Sequence, residues 1–286
     1  MLRRFRLEEP ETIPEASELL SRHGESARIY AGGTELLLVM KEGLAHYERL
    51  VNIKKIPDLD RVERQDGVIS IGALATHRRL AADEILNQQL PALVAMEKKV
   101  ANIRVREVGT IGGNLCFAEP HADPGALLLA LGAKLLAAKA TGSREIPIER
   151  FFVDAYENAL EADELLTAIR VPLMPPRSAA AYLKFGYLER PSVGVALFLS
   201  LDGGAVGEAR IAVGSAGPTP RRIEAAEEVL RGKPIDEASR RIEEAGRIAG
   251  EASDAISDLH GSKDYKEHIV GVLLKRAFAQ AVKDCR

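Results

Sequence analysis

Two short runs of this sequence set glycines beside residues that can start a helix: Ala31-Gly32-Gly33-Thr34-Glu35 and Gly109-Thr110-Ile111-Gly112-Gly113-Asn114. Adjacent glycines allow positive φ and remove two β-carbons, so a phosphate can approach backbone N–H groups at the positive end of a helix dipole. Two such cradles in one chain suit a ligand with a pyrophosphate and a long body, a dinucleotide, better than inorganic phosphate. Each run also has a plainer reading. The first can be a tight strand-to-helix turn that Thr34 caps, and the second an unrelated loop.

The pattern around these runs is of mixed type. Arg3 to Leu7, Ala27 to Ala31 and Arg49 to Ile53 read as strands. Between them, Thr12 and Pro14 open a helix that Gly24 can end, and Thr34 can cap a second helix running to Gly43. This is a small βαβαβ unit, expected to be parallel. A hairpin follows, Arg61 to Arg64 and Val68 to Ile71, turning at Asp66-Gly67. Thr76 to Ala82 and Pro91 to Val100 read as helices, Val108 to Asn114 as a loop, and Asp123-Pro124 starts an apolar helix to Leu131. Lys134 to Lys139 and Leu165 to Val171 are strand-like, and Pro172 to Pro176 reads as a domain boundary. Beyond it, Ala181 to Phe185, Val193 to Asp202 and Val206 to Val213 form an antiparallel meander. Helices are expected at Pro220 to Leu230, Ile235 to Ala249 and Tyr265 to Val282.

The 286 residues, 46% of them hydrophobic, can build a large core in two folded units. Lys plus Arg number 39 against 42 Asp plus Glu, so no overall basic field favours nucleic acid or anionic lipid. Arg3, Arg4 and Arg6 are followed by no apolar run, which argues against a secretory signal and for the cytoplasm. The longest apolar stretch, Ala126 to Ala138, falls short of the roughly 20 residues that span a bilayer. Cys116 and Cys285 are the 2 cysteines, too few for an iron-sulfur cluster.

Several standard sites are missing from the sequence: G-x-G-x-x-G, the P-loop, G-x-S-x-G and H-E-x-x-H. His121 can be read as a base or as an ordinary loop histidine. Asp123 can cap the helix that follows it or accept from ribose hydroxyls. The charges at Lys98, Lys99, Arg104 and Arg106 can face a diphosphate or simply solvent. Cys116 has no charged sequence neighbour to make it a thiolate, so inert packing is expected. No catalytic residue and no metal ligand is assigned.

Taken together, Ala31-Gly-Gly-Thr-Glu-Leu-Leu37 and Thr110-Ile-Gly-Gly-Asn-Leu115, followed by Pro120-His-Ala-Asp123, resemble the FAD-binding medium subunit of molybdenum hydroxylases, which include aerobic carbon monoxide dehydrogenase and the flavin portion of xanthine dehydrogenase. The likeness runs over essentially the whole chain. It implies an α+β fold with a PCMH-like, two-lobed FAD-binding domain over residues 1–175. The lobes fall at about 1–55, the βαβαβ unit, and 56–175, a larger mixed and antiparallel unit. A C-terminal domain over 177–286 carries a three-stranded antiparallel sheet and three helices.

The resemblance also implies a site. It places Ala31, Gly32, Gly33, Thr34 and Glu35 on the diphosphate of a non-covalent FAD, with Thr110, Gly113 and Asn114 as the second set. Asp123, Leu166 and Lys184 match the family's remaining cofactor positions. The implied partners are a large subunit with the molybdenum cofactor and a small subunit with [2Fe-2S] clusters, in a dimer of heterotrimers. FAD then passes electrons from the clusters to a terminal acceptor. Two other readings stay open on the residues: a self-contained flavin oxidase or reductase, which needs a base or aromatic wall over the flavin, and a non-enzymatic nucleotide-binding protein, which would bind no flavin.

Overall fold

The computed structural model describes residues 2–186 and 190–285. The chain opens with β1 (Arg6–Glu8), α1 (Ile13–His23), β2 (Ala27–Tyr30), α2 (Leu36–Lys41) and β3 (Arg49–Asn52). The boundaries of α1 follow from local chemistry. Thr12 accepts from the Glu15 N–H while Glu15 reaches back to the Thr12 N–H, a full capping box, and Gly24 at φ +50° ends the helix. The three strands pair in parallel in the order β1-β3-β2, as the βαβαβ pattern predicts. Ala16, Leu20, Val51 and Ile53 fill a small core beneath them.

The expected hairpin comes next, β4 (Val62–Gln65) and β5 (Val68–Gly72), turning through Asp66 and Gly67, both at positive φ. Six helices follow: α3 (His77–Leu80), α4 (Glu84–Gln89), α5 (Pro91–Glu97), α6 (Ile103–Val108), α7 (Ile111–Phe117) and α8 (Pro124–Leu131). Then come β6 (Lys134–Lys139), β7 (Gly142–Pro147), β8 (Phe152–Asp154), β9 (Glu157–Asn158) and β10 (Leu165–Pro172). Five of these strands form an antiparallel sheet, β4-β5-β10-β6-β7. The sequence expectation of a loop over Val108 to Asn114 is corrected here. That stretch holds the last residue of α6 and the first turn of α7, whose two glycines disguise it, and α4 and the rest of α6 were missed because each is only six residues long.

The chain ends with β11 (Ser178–Phe185), β12 (Val193–Asp202), β13 (Ala205–Gly214), β14 (Arg221–Arg222), α9 (Glu224–Leu230), α10 (Ile235–Glu251) and α11 (Lys263–Asp284). The three expected strands are present. The two-residue β14 pairs as a fourth with β13, so the helix expected from Pro220 starts instead at Glu224. Alternation along these strands buries both faces. Val195, Leu197 and Leu199 pack in the core formed with α10 and α11, whereas Tyr182, Ala196 and Phe198 face α8 and join the core beneath the five-stranded sheet. Every residue of α8 is buried, which accounts for its lack of a polar stripe. Among the described residues no helix is long and apolar enough to cross a membrane.

Candidate functional site

The two glycine turns lie side by side and both line one cleft of about 490 Å³. Ten of the eleven residues expected to hold the cofactor line it: Ala31, Gly32, Gly33, Thr34, Glu35, Thr110, Gly113, Asn114, Asp123 and Leu166. Lys184 is set behind the wall.

The first turn leaves β2 and enters α2. Gly33 takes φ +75°, and a β-carbon on it would run into the Tyr30 ring. Gly32 is glycine for a different reason than phosphate approach. A β-carbon there would strike the Val108 carbonyl at the end of α6, so this position lets the two turns lie against each other. Thr34 does not cap α2, a correction to the sequence reading. The N-cap is Glu35, in helical conformation and with no side-chain cap, because α2 starts one residue later than its hydroxyl could serve. The Leu37 N–H bonds to the Gly33 carbonyl at 3.0 Å, and the Glu35 side chain makes no capping bond to α2.

The second turn is built otherwise. Ile111 N–H donates to the Ala75 carbonyl (3.1 Å) and Gly112 N–H to the Ala73 carbonyl (2.9 Å). Gly113 N–H donates to Thr110 Oγ1 (3.0 Å) and Asn114 N–H to the Thr110 carbonyl (2.9 Å). The backbone donors of Ile111 to Asn114 are therefore engaged within the protein, and the expectation that they form a second phosphate cradle is corrected. Side chains remain on this side. Asn114 Oδ1 is buried with no hydrogen-bond partner, a costly condition that a ligand donor would relieve. A β-carbon on Gly112 would lie 2.5 Å from that of Ala73, whereas one on Gly113 would meet only Thr110 Oγ1, at 2.9 Å. Gly113 is thus the glycine of this turn that leaves room on the cleft side.

Asp123 occupies the N-cap position of α8 but makes no capping bond. Its buried carboxylate accepts from Tyr182 Oη and Lys184 Nζ, both at 2.8 Å, and Lys184 also donates to the Lys99 carbonyl at 2.8 Å. Burial pushes the Asp123 carboxyl up, opposed by Lys184, and pushes the Tyr182 phenol well above its usual range. These three groups tie β11 to the floor of the cleft. Leu166 lies beside the bulge of β10, at the apolar end.

His121 sits between Glu119 and Asp258, 3.3 Å from each, with its ring centroid 4.4 Å from that of His260. Lys98, Lys99, Arg104 and Arg106 do not line the cleft; Arg106 instead donates to the carbonyls of Val100 and Ala101. Cys116 lines the cleft, but burial pushes its thiol up to about 12, which keeps it an unreactive packing group. The cleft residues that sequence reading passed over include Arg28, His77 and Asn158. Only His77 carried a local signal, since it follows the helix-capping Thr76. Among the described residues no three His, Cys, Asp or Glu side chains converge as a metal site.

This arrangement, one cleft lined by an uncapped helix start and an unsatisfied amide, suits a nucleotide cofactor. Residues 3–174 match the FAD binding domain in molybdopterin dehydrogenase, and residues 189–281 the CO dehydrogenase flavoprotein C-terminal domain. The chain belongs to the family of FAD-binding subunits of molybdenum hydroxylases, which are oxidoreductases. It is 33% identical over 288 residues to the carbon monoxide dehydrogenase medium chain of Hydrogenophaga pseudoflava, covering 99% of this chain and 98% of that one. It is 30% identical to the nicotine 6-hydroxylase medium subunit of Paenarthrobacter nicotinovorans, covering 97% of each. The solved carbon monoxide dehydrogenase from Hydrogenophaga pseudoflava that lacks the Mo-pyranopterin moiety superposes with a TM-score of 0.96 over 100% of both chains, at 33% identity.

Proposed function

We propose that this chain holds FAD non-covalently in the cleft and serves as the electron-relaying subunit of a molybdenum hydroxylase complex. The observation that carries this reading is that an uncapped helix start, at Ala31 to Glu35, and the orphaned Asn114 Oδ1 line the same cleft. The turn at Ala31 to Glu35 would receive the diphosphate on backbone N–H groups. Thr110 and Asn114 would hold the body of the nucleotide by side-chain hydrogen bonds. Leu166 would cover apolar ring surface and exclude water. Asp123 and Lys184, bound to each other, would fix the floor rather than grip the cofactor. When bound, FAD supplies electron exchange between the [2Fe-2S] clusters of a small subunit, fed by the molybdenum cofactor of a large one, and a terminal acceptor.

The chain's part is to bind and orient. Its partners, in a dimer of heterotrimers, bring the metals. The division into a FAD-binding domain over 1–175, with lobes at 1–55 and 56–175, and a C-terminal domain over 177–286 belongs to the same reading. So does a cytoplasmic location. Mixing the purified chain with its molybdenum and iron-sulfur subunits should give flavin bleaching that depends on the organic substrate. If the chain alone oxidised that substrate at an ordinary enzymatic rate, on the order of 1 to 1000 per second, the relay reading would be replaced by a self-contained oxidase.

A further inference from the structure

The chain from the end of α5 through α6 carries charges and apolar surface that the cleft does not use. Lys98, Lys99 and Arg104 are exposed and stand outside the cleft lining. Among the described residues none of these three side chains makes an ion pair, which sets a local positive strip on a chain whose formal charge is -3. On α6 itself, Ile103 is 66% exposed and Val108 49%. Ile103 lies four positions before Glu107, and Arg104 four before Val108, so these residues share one helix face. Of the four, Glu107 is engaged, by Arg78.

The inner side of the same segment is cofactor wall. Val100, Ala101 and Val105 line the cleft, so one helix, about 10 Å across, separates it from the exposed face. The segment is also held in one shape. Arg106 donates to the carbonyls of Val100 (2.7 Å) and Ala101 (2.9 Å), Lys184 to that of Lys99 (2.8 Å), and Asn102 Oδ1 accepts from the Arg104 and Val105 N–H groups. An apolar centre with a charged rim on fixed backbone is the anatomy of a protein interface. A second copy of this chain fits it poorly, because a two-fold contact would bring the same unpaired cations together. The complementary occupant is a protein that presents carboxylates around an apolar patch.

Resting on the reading that this chain relays electrons through FAD in the cleft, we infer that the outer face of α6, with Lys98 and Lys99, is the docking surface for the iron-sulfur subunit. Its occupant brings acidic groups to Lys98, Lys99 and Arg104 and apolar surface to Ile103 and Val108. Docked there, the donor stands one helix from the cofactor cleft. Each transfer oxidises one reduced cluster by one electron and reduces the flavin by one. The cations steer the encounter, and the apolar contact holds it.

The test uses the FAD-loaded full chain and the separately purified iron-sulfur subunit. Association is followed by calorimetric titration and by stopped-flow mixing, at low salt and at about 0.5 M salt, where exposed charges are screened. Ile103→Ser should weaken association roughly tenfold at both salts. Lys98→Glu combined with Arg104→Glu should slow association roughly tenfold at low salt and far less at high salt. Both variants should keep the wild-type melting point and flavin content, since these side chains do not line the cleft. Lys283→Glu makes a like charge change in the last turn of α11 and should leave association unchanged. Wild-type association in the two α6 variants, or an equal loss in Lys283→Glu, would overturn the docking site and leave the flavin reading intact. If the chain self-associates and Ile103→Ser disperses it, the face is a contact between copies and the inference falls. A wild-type chain that holds no flavin, or never binds the iron-sulfur subunit, brings down the relay reading and the docking site together.

Discussion

The two glycine turns look alike as strings of residues and differ in nearly every physical respect. In the first, Gly32 is required for contact with the second turn, Gly33 for its left-handed φ, and no side chain caps the helix that follows. In the second, Thr110 caps α7, Ala73 and Ala75 take the next two N–H groups, and the ligand-facing chemistry passes to side chains. A glycine pair in sequence thus reports that something comes close to the backbone. Whether that something is a phosphate or the protein itself is decided by what packs there. At Gly32 and Gly112 it is the protein.

The sharpest way to break the contrast is to substitute those two packing glycines. Gly112→Val should destabilise the fold by roughly 3 kcal/mol or more, because its β-carbon would be forced to within 2.5 Å of Ala73. Gly32→Val should do the same by prising the turns apart. Thermal melting of the apoprotein checks both, and a melting point equal to wild type in either would mean that the turns do not pack as described.

Gly113→Val is the complementary case. It should leave the melting point of the apoprotein within a few degrees of wild type yet raise the FAD dissociation constant by roughly a hundredfold, since only Thr110 Oγ1 stands near the added carbons. Flavin content after purification and a fluorescence titration read the effect. Full occupancy with unchanged affinity would remove Gly113 from the site.

A smaller difference separates the two threonines. Thr110→Val deletes the cap of α7 and should cost about 1 kcal/mol, whereas Thr34→Val deletes no cap and should leave apoprotein stability unchanged. Equal losses in both would show that the turns are capped alike after all. The least effect is expected at Cys116, whose thiol burial pushes up to about 12. It should resist iodoacetamide in the folded protein at pH 8, and mass spectrometry of the alkylated chain reports this.

Much of the architecture was legible before any coordinates. The helix start at Thr12 and Pro14, the Asp66-Gly67 turn and the apolar runs of β12 and β13 are local signals, written within a few residues of the structure they produce. The parallel first sheet followed from strand and helix alternation. What escaped was either short or held from outside. α7 contains two glycines and reads as a loop, yet it forms because Thr110 caps it and the backbone before α3 receives its N–H groups. β14 is two residues long and exists only because β13 offers an edge.

The candidate site divides along the same line. Its membership could be read from motif order, and ten of eleven expected residues do line one cleft. Their roles could not. Asp123 looks like a helix cap in sequence but bonds Tyr182 and Lys184, which arrive from a strand 59 and 61 positions away. His77 and Glu97 become a pair only because α3 and α5 pack together, across an interval of twenty residues. Helix caps and turns are determined by neighbours along the chain, since a hydroxyl or a missing β-carbon acts within a few ångströms of its own backbone. Which buried charge meets which partner depends on where distant segments settle, and that is set by the summed packing of the cores rather than by any one residue's preference.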